Sequence, residues 1–203
     1  MEIEIKDIRK KDYKKAIRFA LEGMSCDWYI DNKWALNAYG KYFWYMELNR
    51  ATQIFAAYIE DEFVGVLLAE VEGEEKKRQN FLQQLYVRLV NLFQKAFLKD
   101  GEGVYKETTE EQRAHYLKSH KPDGEILFLA ADPECGVKGI GTALLKALEE
   151  KEKGKTMYLF TDDGCTYQFY EHRGFDRVEE KDIVMKMPKG DVPLKCFMYS
   201  KVL

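Results

Sequence analysis

The segment from residue 125 to residue 150, EILFLAADPECGVKGIGTALLKALEE, constrains the fold more than any other part of the chain. It reads as an apolar strand that passes through a glycine turn directly into a helix. The first N–H groups of a helix have no internal partners, and the helix dipole adds about half a positive charge at that end. Gly139 and Gly141 carry no Cβ atom, so a phosphate can approach the main chain. The sequence therefore predicts a pyrophosphate site at the end of a buried strand.

The spacing of these glycines excludes two widespread phosphate-binding motifs. In a P-loop the lysine follows the last glycine, whereas Lys138 precedes Gly139 in this chain. A dinucleotide-binding fingerprint has a third glycine three residues after the second, and this chain has Leu144 at that position. The turn therefore belongs to another kind of phosphate-binding motif, one that uses only two closely spaced glycines.

Residues 136–142, GVKGIGT, resemble motif A of the GCN5-related N-acetyltransferases, the GNAT superfamily, which reads Gln/Arg-x-x-Gly-x-Gly/Ala. Residues 166–175, TYQFYEHRGF, resemble motif B of the same superfamily, and both motifs stand in its usual order and separation. The matching positions of motif B are Tyr170, Glu171, Gly174 and Phe175. The chain departs from the usual residues at Gly136, Asp163 and Thr166. Together the two motifs cover roughly residues 125–176.

The resemblance implies that acetyl-CoA is the cosubstrate and that the turn grips its pyrophosphate. In this superfamily two strands splay apart, here those at 125–131 and 156–162, and the pantetheine arm pairs with the main-chain groups left open between them. The same main-chain groups hold the oxyanion of the reaction. The implied cofactor-binding residues are Leu129, Ala130, Ala131, Gly136, Val137, Lys138, Gly139, Ile140, Gly141, Thr142, Asp163 and Tyr170.

Acetyl transfer to an amine requires a base, because an amine like that of lysine has a pKa of about 10.4 and is protonated at neutral pH. Glu125 lies fourteen residues before Gly139, where histone-acetylating members of the superfamily carry a base glutamate in a similar Glu-Ile-x-Phe context. Its alternative role is that of a solvated carboxylate at a strand entry. Tyr170 stands where relatives place the tyrosine that reaches the leaving sulfur, and its alternative role is that of an aromatic core residue.

Aromatic and acidic residues near the first two helices and on the third strand are the candidate acceptor side of the site: Trp28, Tyr29, Trp34 and Glu70. Aromatic faces and carboxylates together can hold a cationic amine. The alternative is a helix surface that packs on the sheet and leaves its carboxylates solvated. The resemblance implies a primary amine of a small molecule or peptide as the acceptor.

The composition argues against several other classes of protein. A formal net charge of -3 gives no electrostatic case for binding nucleic acid. The four cysteines lie far apart and the three histidines are scattered, which argues against a metal site and a disulfide framework. No apolar run approaches the roughly 20 residues that span a bilayer, and the charged N-terminus is unlike a signal peptide. A cytoplasmic protein without a membrane partner is expected.

The length of the chain predicts a single domain over residues 1–203, because such a chain can bury a sizeable core. The expected fold is α/β (α+β), with the mixed, mostly antiparallel sheet of six or seven strands that the GNAT resemblance implies, flanked by helices. Strands are expected at 2–8, 52–60, 63–73, 125–131, 156–162, 183–188 and 193–203. We expect Asp61 and Glu62 to form the turn between the second and third strands, and the last strand to cover the far edge.

Residues 74–122 are expected to be a helical insertion between the third and fourth strands. An apolar stripe predicts a helix over 82–97. Either Thr108 or Thr109 is the expected N-cap of a second helix that ends before Pro122. These helices either pack on the sheet, or pack on a second subunit in a homodimer, or form a wall of the acceptor pocket.

Two functions follow from these observations. The first is an N-acetyltransferase that transfers the acetyl group of acetyl-CoA directly to a primary amine through a tetrahedral intermediate. The second is a non-catalytic acyl-CoA-binding sensor or assembly module with the same fold. Tyr170 and Glu125 favour the enzyme, whereas Gly136 and Asp163, as departures from the superfamily motifs, favour the binding module.

Overall fold

The structure is a computed structural model, which describes residues 2–24, 32–97, 102–187 and 190–203. The strands of the described part are β1 (Glu4–Lys6), β2 (Gln53–Ile59), β3 (Glu62–Val71), β4 (Gly124–Ala131), β5 (Thr156–Asp162), β6 (Asp176–Met187) and β7 (Gly190–Val202). Its α-helices are α1 (Tyr13–Gly23), α2 (Lys33–Arg50), α3 (Phe81–Phe97), α4 (Glu102–Tyr116), α5 (Ile140–Lys151) and α6 (Gln168–Glu171). A short 3-10 helix at Lys10–Asp12 precedes α1.

The seven strands form one sheet in the order β1-β2-β3-β4-β5-β7-β6. Every neighbouring pair is antiparallel except β4 and β5, which run parallel. These two strands pair only at their first residues, Gly124 with Met157 and Glu125 with Tyr158. The predicted mixed sheet and the predicted splay between its fourth and fifth strands are therefore both confirmed.

Helices cover both faces of the sheet because its central strands are apolar on both sides. On one face, Leu144 and Leu148 of α5 pack with Leu67 of β3 and Met157 of β5. On the other face, α1 and α2 pack on β2, β3 and β4, with Trp44 fully buried. Neighbouring residues of a strand point to opposite faces. Tyr158, which packs with α4, therefore lies on the same face as α1 and α2.

The turn between β2 and β3 differs by one residue from the prediction. Glu60 and Asp61 both have positive φ angles, of 49° and 64°, and Glu62 already belongs to β3. Two consecutive left-handed residues match the right-handed twist of a tight hairpin. Nothing in the residue types marks this position, because neither residue is glycine or asparagine.

The second helix of the insertion begins earlier than expected. α4 starts at Glu102, so Thr108 and Thr109 lie inside the helix and neither is its N-cap. Thr108 is buried, which shows that the threonine–glutamate spacing reflects a packed helix face rather than a helix start. α3 packs on α2, whereas α4 packs on β6 and β7. Part of the α3 surface remains exposed at Leu82, Leu85, Leu89 and Leu92.

The order of the last two strands corrects the prediction for the edge of the sheet. β7 lies between β5 and β6, so β6 forms the edge instead of the last strand. β6 also begins at Asp176, well before the predicted start at residue 183. Its first half is highly charged, which is typical of an edge strand that must avoid further pairing. Within the described ranges, no helix combines the length and apolarity needed to cross a membrane.

Candidate active site

The glycine turn before α5 presents a set of open N–H groups. Gly139 is the N-cap of α5, with a left-handed φ of 90° that favours glycine. Within the described part of the chain, no N–H group from Val137 to Thr142 donates to a carbonyl or a side chain. Gly136, Lys138 and Gly139 are exposed. The residues present therefore fit an anionic group such as a pyrophosphate.

The structure shows a second reason why glycine is required at position 141. A Cβ atom at this position would lie 3.2 Å from the ring of Phe169. The missing side chain therefore lets α6 pack against the first turn of α5, in addition to any approach by a phosphate. The same contact joins motif A to motif B.

Arg173 adds a positive charge beside this turn, and sequence reasoning did not identify it. Its Nε donates to Oγ1 of Thr142 at 3.2 Å, and its guanidinium lies 4.0 Å from the centroid of the Phe169 ring. Thr142 and Arg173 are 31 positions apart, so only the packing of α6 on α5 brings them together. Lys138, which the sequence did suggest, is exposed and has no ion pair among the described residues.

The gap between β4 and β5 leaves one edge of β4 open. Leu129, Ala130 and Ala131 pair with β3 on their other side. Beyond Glu125 none of the β4 residues pairs with β5, so the main chain on that side is free to pair with an extended ligand. The open edge and the glycine turn are continuous, since β4 leads into the turn.

Tyr170 is both a core residue and a possible proton donor. Its ring lies 5.2 Å, 5.7 Å and 6.2 Å from the ring centroids of Phe169, Phe175 and Tyr199. Burial, with a smaller contribution from Cys165, raises the pKa of Tyr170 well above its usual value, so the hydroxyl is protonated at neutral pH. That hydroxyl donates no hydrogen bond to another described residue.

Glu125 is enclosed at the other end of the gap instead of being a solvated strand-entry carboxylate. Its side chain is 13% exposed. Nη2 of Arg50 lies 2.6 Å from Oε2 of Glu125, and the hydroxyl of Tyr158 donates to the same oxygen at 3.2 Å. Burial and the charge of Glu125 raise the pKa of Tyr158 to about 12, against the influence of Arg113 from α4.

Arg50 joins Glu125 to two further carboxylates. Its guanidinium lies 3.0 Å from Glu70 and 3.3 Å from Glu47, and Lys76 also pairs with Glu70. Although burial raises the pKa of Glu70, Lys76 and Arg50 outweigh it, and the pKa lies below its usual value. Burial raises the pKa of Glu47 to about 7, opposed by Arg50 and assisted by the other two carboxylates. We call these four residues, Arg50, Glu47, Glu70 and Glu125, the Arg50 cluster.

The Arg50 cluster lies between two helices on one face of the sheet. α2 provides Glu47 and Arg50, and α4 approaches from the β5 side, where the ring of Tyr116 lies 6.3 Å from the ring of Tyr158. α4 therefore packs on the sheet beside this end of the gap, which confirms the interpretation that the insertion packs on the sheet. A wall of the acceptor pocket stays a prediction. Sequence reasoning missed Arg50 and Tyr158.

The remaining predicted site residues have different positions. Trp34, in the first turn of α2, is 81% exposed and takes no part in the Arg50 cluster, whereas Glu70 does. Trp28 and Tyr29 lie outside the described residues. Asp163 accepts a hydrogen bond from the Lys195 N–H at 2.9 Å, and so extends the pairing of β5 with β7. No group of three or more metal-ligating side chains is arranged to hold a metal ion among the residues that could be searched.

Comparison with known proteins identifies a family model that matches part of the chain and several structures with the same fold. Residues 101–175 match the family model of the acetyltransferase (GNAT) family. The chain is 18% identical to a structure described as histone acetyltransferase HPA2 and related acetyltransferase, from Corynebacterium glutamicum, with a TM-score of 0.58 over 98% of this chain and 96% of that one. No curated protein sequence is significantly similar.

Two further structures share the fold. The paia N-acetyltransferase of Thermoplasma acidophilum, solved in complex with coenzyme A, is 16% identical, with a TM-score of 0.52 over all of both chains. NAA60 of Arabidopsis thaliana, solved with a bisubstrate analogue, is 11% identical, with a TM-score of 0.56 over 98% of this chain and 97% of that one. The chain therefore has the GNAT fold, and the match of residues 101–175 to the GNAT family model confirms the resemblance.

Proposed function

We propose that the protein is an acetyl-CoA-dependent N-acetyltransferase that transfers the acetyl group directly to a primary amine of a small molecule or peptide. One observation carries the proposal: the gap between β4 and β5 joins an open, anion-accepting turn at one end to the enclosed carboxylate of Glu125 at the other. The match to the GNAT family model and the coenzyme A complex of a protein with the same fold support it.

The cofactor is proposed to bind through the main chain. The N–H groups from Val137 to Thr142 bind the pyrophosphate, and the open edge at Leu129, Ala130 and Ala131 pairs with the pantetheine arm and holds the oxyanion. Arg173 adds a charge near the pyrophosphate. When bound, acetyl-CoA supplies an activated acetyl thioester.

Two side chains are proposed to move protons. Glu125 accepts a proton from the acceptor ammonium, directly or through a water molecule, which frees the nitrogen electron pair for attack. The Tyr170 hydroxyl donates a proton toward the leaving sulfur. An ordinary thiol has a pKa of about 8.5, so departure is already feasible and the tyrosine contributes a modest part of the rate.

Two measurements test the proposal. The first is calorimetric titration with acetyl-CoA and CoA, with ATP as the control, and we expect micromolar binding of both CoA species only. The second is thiol release from acetyl-CoA with a panel of small and peptide amines. Turnover with at least one amine supports the enzyme. Tight CoA binding without turnover of any amine would instead favour the acyl-CoA-binding module. The departures from the superfamily motifs at Gly136 and Asp163 favour the same alternative.

Two further proposals concern the cellular compartment and the domain organisation of the protein. We propose a cytoplasmic location and a chain that folds as one domain. A homodimer through the exposed leucines of α3 remains a prediction.

A further inference from the structure

Glu47 is the most deeply buried carboxylate of the Arg50 cluster. The whole residue is 6% exposed, and its side chain contacts Arg50 at 3.3 Å. It does not contact the gap itself, so it has no direct role in the proposed reaction. Burial of an acidic side chain costs free energy unless the charge is paired or the group is protonated. Among the residues that the structure describes, Arg50 is the one cation paired with Glu47, and Arg50 also pairs with two other acids.

The charges around Glu47 do not balance when every group is ionised. On its own helix it faces Arg50, on β3 it faces Glu70 with its partner Lys76, and on β4 it faces Glu125. Tyr158 and Arg113 lie beyond Glu125. Three carboxylates therefore share two cations, Arg50 and Lys76, and one negative charge is in excess.

The shared guanidinium couples Glu47 to the proposed base. Arg50 contacts Glu47 through Nη1 and Glu125 through Nη2. When Glu47 is ionised, it competes for the positive charge of Arg50 and adds a like charge near Glu125, and both effects favour proton uptake by Glu125. When Glu47 is neutral, the ion pair between Arg50 and Glu125 is undivided, and Glu125 accepts a proton less readily.

We propose that Glu47 is a positioning residue of the acceptor site, which keeps Glu125 basic by competing for Arg50. This inference rests on the proposed N-acetyltransferase function. In the step concerned, an N–H bond of the acceptor ammonium breaks, the proton adds to a carboxylate oxygen of Glu125, and the nitrogen keeps the electron pair. Glu47 forms no bond to the substrate, and its charge sets how readily that proton moves.

The pKa of about 7 agrees with this geometry. It places the change in the charge of Glu47 within the neutral pH range, where the proposed enzyme would operate. A group with this property makes the basicity of Glu125 depend on pH in a way that an isolated ion pair would not.

The decisive experiment compares Glu47→Gln with the wild type across pH. Glutamine keeps the shape and mimics the neutral form, so the ratio of wild-type kcat to variant kcat should rise from about one near pH 6 to about ten near pH 8.5, with unchanged KM for acetyl-CoA. Protonation of the acceptor amine affects both proteins equally, so it does not change this ratio. Glu47→Asp, which retains the charge, should restore part of the pH dependence.

A matched control is Glu152→Gln. Glu152 is also almost fully buried and pairs with Lys155 at 2.7 Å, but it lies outside the Arg50 cluster. The ratio of wild-type kcat to Glu152→Gln kcat should be the same at every pH. A ratio for Glu47→Gln that is equally constant would overturn the proposal, because it would indicate a merely structural role.

A second measurement separates this inference from the proposed function. NMR titration of side-chain carboxyl carbons in the wild type should contain one glutamate signal that titrates near neutral pH and that is missing from Glu47→Gln. If no amine is turned over but this signal is present, the acetyltransferase proposal fails, whereas the titration of Glu47 near neutral pH is confirmed. If the signal is missing from the wild type, the positioning role is wrong whatever the activity.

Discussion

At the scale of single residues, the ring and the hydroxyl of Tyr170 have different surroundings. Its ring belongs to the aromatic packing that ties α6 to β7, and its hydroxyl has no partner among the described residues. The residue is half-buried, and its hydroxyl is free to donate a hydrogen bond to a ligand. The ring and the hydroxyl can therefore be tested separately.

Tyr170→Phe should lower kcat about tenfold and leave the affinity for CoA and the thermal stability almost unchanged. The ring packing is kept, and only the proton donated toward the sulfur is lost. Steady-state kinetics and calorimetry measure the two effects. Tyr167→Phe is the control, because that ring packs nearby on Phe197 and has no proposed role in the reaction. Unchanged kcat in Tyr170→Phe would remove this residue from the mechanism.

Glu125→Gln should lower kcat about a hundredfold, because a positioned base typically contributes about 10²- to 10⁴-fold. The amide keeps the volume of the carboxylate, so binding of acetyl-CoA should not change. Kinetics with the best amine of the panel measure the effect, and Glu134→Gln, at an exposed position, serves as the control. A variant as active as the wild type at every pH would mean that another group or water accepts the proton.

At the scale of secondary structure, the N-terminus of α5 depends on the backbone of Gly139. Gly139→Ala should destabilise the fold by about 1–2 kcal/mol, because φ is 90° there, and should weaken CoA binding about tenfold by moving the N–H groups. Urea unfolding and calorimetry measure these effects. Gly154→Ala is the matched control, since Gly154 has a φ of 85° in the turn between α5 and β5. It should lose similar stability but keep its affinity for CoA.

The sequence predicted the elements that carry the motifs better than the residues that surround them. Glu125 and Tyr170 could be proposed from the sequence because each lies at a fixed distance from a glycine motif, and their roles stay predictions. Arg50 lies 75 positions from Glu125, and it reaches the carboxylate only through the packing of α2 on β3 and β4. No local spacing encodes such a contact. Aromatic and polar residues occur all around α2, so its periodicity did not reveal which side faces the gap.

Strand order was the other feature that local patterns could not give. Alternating apolar residues identify a strand, but they do not tell which neighbour it pairs with. The charged first half of β6 made that segment look unlike a strand, and its pairing with β7 is what stabilises it. The start of α4 was misjudged for a related reason, because a capping pattern at Thr108 also occurs inside a packed helix.

At the scale of the whole molecule, Glu47 links stability to pH. Its folded pKa of about 7 exceeds the ordinary value of 4.5, so its contribution to stability is fully present below about pH 4.5 and is lost as pH rises through 7. Between pH 4.5 and pH 8, the free energy of unfolding of the wild type should fall by up to about 3 kcal/mol relative to that of Glu47→Gln. Urea unfolding of both proteins at several pH values measures this difference. A difference that does not change with pH would contradict the raised pKa.

The placement of β7 has a consequence for the synthesis of the protein. The acetyltransferase motifs end near residue 175, but the strand that closes the sheet beside β5 comes later, at Gly190–Val202. While the ribosome is still adding these residues, β5 has one neighbour that diverges from it and none on its other side. The nascent chain therefore exposes an apolar strand edge that is open to wrong pairing and to chaperones until β7 has emerged from the ribosome and paired with β5.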